Sequence, residues 1–106
     1  MSWSTLPLTA AIALLAAMPS LASAQPDNVQ RVRDWAASCS ACHGPAGRAP
    51  ANSPVPGLAG RPQADLVAQM QAFKAGTRPA TVMHQIAKGY TDEQIAAIAA
   101  WFAAVK

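Results

Sequence analysis

Charged residues are scarce in this chain and form no run of one sign. Eight lysines and arginines face five aspartates and glutamates, which gives a formal charge of +3. Nucleic-acid-binding surfaces carry clustered basic residues, so this weak and scattered charge argues against nucleic acid as a partner. The chain also lacks internal repeats and any stretch of strand-like alternation. These absences exclude a repeat architecture and favour an all-α domain.

The chain also lacks an apolar run long enough to span a membrane, although its start is hydrophobic. The apolar run covers residues 8–18 and is interrupted by Pro19, whereas a spanning helix needs about 18 or more apolar residues. An Ala-Ser-Ala pattern at 22–24 then suits signal peptidase, so we predict a cleaved signal peptide over residues 1–24. An uncleaved anchor is the alternative. Export to the periplasm leaves one domain over 25–106, with no membrane span after cleavage.

Helical periodicity covers most of this predicted domain. Gly76 is predicted to end the second of three amphipathic helices, and Thr91 with Gln94 resembles a capping box that opens the third. The piece "TVMHQIAKG" permits a short helix between them. Residues 44–61 are crowded with glycine and proline and are predicted as a long loop, which in a compact domain usually carries function. The apolar positions are Val29, Val32, Ala36 and Cys39 in the first helix, Leu66, Met70 and Phe73 in the second, and Ile95, Ile98, Phe102 and Val105 in the third.

Only two cysteines are present, and they lie close together in "CSACHG", residues 39–44. A disulfide between Cys39 and Cys42 would close a tiny loop and add little stability. A thioredoxin-type dithiol belongs at a strand-to-helix junction, and no strand is predicted. A zinc site needs four ligands, and His43 directly after Cys42 is badly placed to share a metal with it. None of these three sites uses both thiols and the imidazole together.

The pattern Cys-x-x-Cys-His is the attachment signature of a c-type haem. Its two thiols form thioethers with the haem vinyl groups, and the histidine binds the iron through one ring nitrogen. The export signal, the preceding helix and the absence of competing cysteines agree with this chemistry. We therefore predict one covalent haem c, attached to Cys39 and Cys42, with His43 as its proximal metal ligand.

Four side chains are candidates for the sixth position of the iron, namely Met18, Met70, Met83 and His84. Met18 leaves with the signal peptide, and Met70 lies in register with an apolar stripe, which is typical of a core methionine. Met83 lies off any strong stripe and is the predicted distal ligand. His84 is the alternative, and an open position is the third. Methionine ligation raises the reduction potential, which suits a carrier of single electrons.

The chain resembles class I cytochromes c of the small bacterial branch, which includes cytochrome c4, the c553-type carriers and the cytochrome subunit of flavocytochrome c sulfide dehydrogenase. The likeness covers residues 29–105 and rests on the pieces "CSACHG", "VPGLAGRP", "LVAQMQAFKAGTR" and "VMHQIAKGYTDEQIAAIAAWFA". It implies a fold of about three main helices wrapped around one covalently bound haem. It also implies His43 as proximal and Met83 as distal ligand.

The resemblance assigns further residues to the haem environment. It implies that the backbone carbonyl of Pro56 accepts a hydrogen bond from the second ring nitrogen of His43 and that Leu58 packs on the haem. Two positions depart from the family pattern. Tyr90 stands where these relatives usually carry leucine, and Trp101 stands where they usually carry tyrosine.

The function implied by the resemblance is that of a soluble periplasmic electron carrier and not of an enzyme. Its partners would be redox proteins that dock transiently, such as a flavoprotein subunit or a terminal oxidase. One alternative is the cytochrome subunit of a sulfide-oxidising flavocytochrome c complex, and another is a haem-based gas sensor. The basic residues that could steer an acidic partner or neutralise the haem propionates are Arg48, Arg61, Lys74, Arg78 and Lys88.

Overall fold

The computed structural model describes Met1 and residues 27–106. This part of the chain consists of α-helices, one short 3-10 helix and connecting loops, and it contains no strand, as predicted. None of its helices is long and apolar enough to cross a membrane. The predicted signal peptide, with Met18, lies outside the described residues except for Met1. The helices are α1 (Asp27–His43), α2 (Gln63–Ala75), α3 (Met83–Lys88) and α4 (Asp92–Ala103), and the 3-10 helix is Pro45–Gly47.

The hydrophobic core lies where the three longer helices meet. Ala36 of α1 and Leu66 of α2 are buried against three buried residues of α4, Ile98, Ala99 and Phe102. The alanines on α1 and α4 are small, so the backbones of these two helices can approach closely where they pack. The core is therefore narrow, and α3 lies outside this cluster, packed against α2.

The start of α1 departs from the sequence prediction. Val29 was expected on the apolar stripe of this helix, but its side chain is 70% exposed. Val29 and the half-buried Val32 line a shallow groove between α1 and the end of α4, together with Trp101. Helical periodicity identified the correct face, but the groove along the first turn of α1 is open and leaves Val29 exposed.

Local sequence signals set the ends of α2 and α4 as predicted. Gly76 follows α2 in the left-handed conformation, with φ of 76°, and its N–H donates to carbonyls of the last turn. At α4, the Thr91 hydroxyl accepts from the N–H of Gln94, and the N–H of Thr91 donates to the Gln94 side chain. The predicted capping box is therefore confirmed.

The loop from α1 to α2 turns back towards the end of α1. The carbonyl of Gly47 accepts hydrogen bonds from the N–H groups of Leu58 and Ala59, which closes the loop on itself. Gly47 has φ of 74°, and a Cβ at this position would lie 2.7 Å from the Phe102 ring. A glycine is required there because the loop backbone packs directly on the core.

Candidate functional site

A cavity of about 630 Å³ lies beside the core and is bordered by all four helices and by the loop from α1 to α2. Most of the side chains that line it are apolar, among them Leu58, Leu66, Phe73 and Ile95. Its volume lies within the range of about 300–1,000 Å³ that is usual for ligand and cofactor pockets. The cavity can therefore hold one large apolar group.

Both cysteines line this cavity, and both are free thiols. Burial raises the pKa of the Cys39 thiol above its ordinary value. A thiol must be deprotonated to bind a metal ion, so burial makes Cys39 a poorer metal ligand. Across residues 27–106, moreover, no group of three or more His, Cys, Asp or Glu side chains could hold a metal ion. Residues 27–106 therefore offer no zinc site at these two thiols.

His43 is the last residue of α1, and its side chain is only 9% exposed. Its Nδ1 lies 2.6 Å from the backbone carbonyl oxygen of Pro56. A carbonyl can only accept, so Nδ1 must carry the proton and donate, and Nε2 of the neutral ring keeps its lone pair. Metal-bound histidines usually donate their second ring N–H in this way. The lone pair of Nε2 is therefore available for a metal ion, and the contact with Pro56 is the one that the resemblance implies.

The end of α1 places this imidazole by a sharp turn at Gly44. The N–H of Gly44 donates to the carbonyl of Ser40, and Gly44 has φ of 91°. A Cβ at Gly44 would clash with the carbonyl oxygen of Arg48. Only glycine fits this turn without strain, and the turn sends the chain into the loop that returns with Pro56.

The sulfur ligand candidates Met70 and Met83 both line the cavity. Met70 shares its face of α2 with Leu66 and Phe73, as predicted, but this face borders the cavity, so Met70 is a second thioether at the site. Met83 is the first residue of α3. His84 is absent from the described residues that line the cavity. Its Nδ1 is buried and has no hydrogen-bond partner within the part of the chain that the structure describes.

The structure also brings together residues that the sequence did not connect. Ser38 and Tyr90 both line the cavity, and their hydroxyl oxygens lie 3.2 Å apart. These residues are 52 positions apart, so no local pattern relates them. In the sequence, the only indication of this contact was that Tyr90 replaces the leucine usual in the resembling family. That departure did not identify Ser38 as its hydrogen-bond partner.

Four of the five predicted basic residues separate into two groups, and the fifth, Lys88, is exposed at the end of α3. Arg61 and Arg78 are among the residues that line the mostly apolar cavity, and the Arg78 guanidinium lies over the Phe73 ring, 4.8 Å from its centroid. Lys74 forms an ion pair with Asp92 at 3.0 Å, and Arg48 donates a hydrogen bond to the backbone carbonyl of the C-terminal residue. Only the first group is placed to compensate negative charge on a bound group.

Comparison with known proteins identifies the family. The family model for cytochrome c matches residues 29–106. The chain belongs to the cytochrome c family. Its helical architecture is the class I all-α fold, and its cofactor is covalently attached haem c, which the Cys-x-x-Cys-His motif of Cys39, Cys42 and His43 fits.

Curated relatives of this cytochrome have names from sulfur oxidation and from electron transport. It is 40% identical over 65 residues to the cytochrome subunit of sulfide dehydrogenase from Chlorobaculum tepidum, covering 61% of this chain and 57% of that protein. It is 36% identical over 96 residues to the thiosulfate dehydrogenase electron acceptor of Thiomonas intermedia, covering 84% and 44%. Cytochrome c4 of Pseudomonas aeruginosa is 41% identical over 71 residues, covering 67% and 35%. The chain thus spans less than two thirds of the length of each relative.

The residues of the cavity fit the haem of this family. Its apolar walls suit a large aromatic ring, Cys39 and Cys42 supply two free thiols, and His43 supplies a nitrogen lone pair. When bound, haem supplies a one-electron Fe(III)/Fe(II) couple. The protein contributes attachment, a ligand of fixed orientation and exclusion of water.

Proposed function

We propose that this cytochrome is a periplasmic carrier with one haem, which receives and passes single electrons between redox proteins, and that His43 and Met83 are its two iron ligands. The observation that carries the proposal is that both side chains line the same cavity as the two attachment cysteines. The proposal includes export, because the apolar run over residues 8–18 and the Ala-Ser-Ala pattern at 22–24 predict a signal peptide whose cleavage leaves a mature domain over 25–106. Mass spectrometry of protein from its native host tests that cleavage.

The choice of Met83 over His84 is supported by where the two side chains lie. Met83 lines the cavity, whereas His84 is not among the described residues that do. A thioether also favours the ferrous state, which raises the reduction potential of a carrier. Met70 offers a second thioether on the cavity wall, so an experiment must include it.

The other residues of the site hold the cofactor and set its electrostatics. The hydrogen bond from His43 to the Pro56 carbonyl fixes the ring orientation and increases the basicity of the nitrogen that binds iron. Leu58 supplies apolar contact from the loop. Arg61 and Arg78 supply positive charge at the cavity for the two carboxylates of a haem. Each residue thus favours binding of the cofactor in one orientation.

Visible spectra of haem-matured variants test the ligands directly. Met83→Ala should abolish the weak far-red band that arises from thioether ligation of ferric haem, and it should lower the reduction potential. The matched controls His84→Ala and Met70→Leu should keep both the band and a potential near that of the wild type. A band that survives in Met83→Ala and disappears in Met70→Leu would assign the ligand to Met70. If His84→Ala is the only variant whose visible spectrum and reduction potential differ from those of the wild type, the iron has two imidazole ligands.

A second candidate function is that of a cytochrome subunit in a sulfide-oxidising flavoprotein complex. The similarity to the Chlorobaculum tepidum subunit favours it, since this chain covers 57% of that protein. Purification of tagged protein from the native periplasm under mild conditions separates the two functions. A free carrier comes alone, whereas a subunit brings a flavoprotein in equal amount. The flavin absorption of the purified sample is the readout.

A further inference from the structure

The hydroxyl groups of Ser38 and Tyr90 form a hydrogen bond with a defined direction. The Ser38 hydroxyl lies 2.7 Å from the carbonyl oxygen of Trp35 and donates its single proton there. It can therefore only accept from Tyr90, whose oxygen lies 3.2 Å away. The Tyr90 side chain thus reaches α1 at the residue just before the attachment residue Cys39.

The backbone of Tyr90 is held on the other side by α3 and α2. Its N–H donates to the carbonyl of Ala87, in the last turn of α3, at 3.2 Å. Its carbonyl accepts from Nζ of Lys74 in α2 at 2.8 Å, and the same Nζ pairs with Asp92 at the start of α4. Tyr90 therefore joins the end of α3 to α1 and α2 through its own hydrogen bonds, and Lys74 extends this connection to α4.

Helix α3 needs such external support. It has six residues, and its N-terminal end carries no side-chain cap. Isolated helices shorter than about 12 residues are marginal in water, so contacts outside α3 must fix its position. Met83 is its first residue, seven positions before Tyr90. A displacement of α3 would therefore move the Met83 thioether.

We propose that Tyr90 is a positioning residue for the sixth iron ligand, acting through its hydrogen bond to Ser38, which holds α3 against the haem-attachment helix α1. The proposal rests on the ligation of iron by Met83 proposed above. A thioether is a weak ligand, so a small loss of support for α3 changes how well Met83 competes with an external ligand. Both hydroxyl-bearing residues line the cavity that Met83 also lines.

The test measures the affinity of the ferric holoprotein for added imidazole, followed by loss of the far-red thioether band. Tyr90→Phe removes the hydroxyl and keeps the ring, and Ser38→Ala removes the acceptor. Each should bind imidazole roughly two- to tenfold more tightly than the wild type, in line with the loss of one hydrogen bond. The double variant should show no more than the effect of one single variant, because both changes remove the same bond.

Gln63→Ala is the matched control. Its side chain also joins two helices, donating to the carbonyl of Ala96 at 3.2 Å, but Gln63 is not among the described residues that line the cavity. It should lower the urea midpoint about as much as Tyr90→Phe and leave imidazole affinity unchanged. Unchanged imidazole affinity in Tyr90→Phe, or additive effects in the double variant, would overturn the proposal. A thioether band that survives in Met83→Ala refutes the ligand assignment itself, so the two failures are distinguishable.

Discussion

The two segments proposed to supply the iron ligands differ in what holds them in place. The attachment segment, residues 39–44, ends the long helix α1, and its His43 is buried and bonded to the Pro56 carbonyl. The distal segment, residues 82–90, is a six-residue helix with short flanks, and its Val82 and Ile86 are 56% and 42% exposed. One ligand is thus fixed by contiguous sequence and burial, while the other depends on contacts with distant residues. We expect strong effects on haem attachment from the first segment and graded effects on ligand exchange from the second.

The largest effect should come from the thiols of the attachment segment. Replacing Cys39 and Cys42 by serine should prevent covalent attachment and leave the chain largely unfolded. Without haem, the apolar side chains around the cavity of about 630 Å³ lose their packing partner, and the core that remains is small for a domain of this size. Far-ultraviolet circular dichroism and haem staining of denatured protein measure both effects.

Ser40→Ala is the control for the cysteine substitutions. Ser40 lies between the two thiols, and only its backbone carbonyl is used, accepting from Gly44. This variant should attach haem and fold like the wild type. A cysteine-free chain that unfolds cooperatively without haem would contradict this prediction, because it would show that the helices need no partner in the cavity.

The next effect concerns the turn that places His43. Gly44→Ala should lower the free energy of unfolding of the holoprotein by about 3 kcal/mol or more, because left-handed backbone strain adds to a clash with the Arg48 carbonyl. Gly76→Ala is the comparison, since Gly76 also has a positive φ, with ψ of 11° where Gly44 has 160°, and no atom lies within 4 Å of a built Cβ. Gly76→Ala should lower the free energy of unfolding only by the backbone strain, about 1–2 kcal/mol. Urea unfolding measures both, and equal losses would mean that the turn at Gly44 is not tightly packed.

The sequence predicted the attachment segment better than the distal one, for a physical reason. The Cys-x-x-Cys-His motif, the Gly76 stop and the Thr91 capping box are local patterns, so adjacent residues contain the whole signal. Periodicity likewise found the apolar face of α2, but it could not tell a closed core from a cavity wall, and Met70 borders the cavity. The face of α1 was found too, yet Val29 is exposed because periodicity along one helix does not specify how closely another helix packs on it.

Contacts between distant residues left no pattern in the sequence. The hydrogen bond from Tyr90 to Ser38 joins residues 52 positions apart, and the bond from Lys74 to Asp92 joins residues 18 positions apart. The first depends on how the end of α3 packs against α1 and the second on how α2 packs against α4, which side-chain periodicity does not specify. The position of Met83 relative to the cavity depends on the same packing. The distal segment is therefore the part of the site for which a structure was needed.

A smaller effect is expected where the distal segment meets α4. Thr91→Ala removes the hydroxyl of the capping box and should lower the free energy of unfolding by about 1 kcal/mol. Thr77→Ala is the control, because the Thr77 hydroxyl donates to the Ala72 carbonyl at the exposed end of α2 and caps no helix start. Thr77→Ala should lower the free energy of unfolding by only about a few tenths of a kcal/mol. Equal losses in urea unfolding would indicate that the box contributes nothing beyond an exposed hydrogen bond.

The smallest effect on stability should come from substitution of Asp92. Its carboxylate accepts a hydrogen bond from Lys74, which also donates to the backbone carbonyl of Tyr90. Hydrogen bonds from Gln71 and Lys74, and the positive charge of Lys74, hold the pKa of the Asp92 carboxyl below its ordinary value of 3.8. A lowered folded-state pKa stabilises the protein above that value, and the gain is lost as pH falls through the lower pKa of the folded state. Asp92→Asn should therefore be slightly less stable than the wild type at neutral pH.

The difference in stability between wild type and Asp92→Asn should shrink as the pH falls below 3.8, and it should also shrink at high salt, because Asp92 is exposed and its ion pair is screened. Urea unfolding at a series of pH values measures it. Lys74→Ala provides the matched comparison, since combining it with Asp92→Asn should add less than the sum of the two single losses. A difference that stays constant down to pH 2 would mean that the charge of Asp92 does not support the distal segment, and that the carbonyl of Tyr90 alone holds Lys74.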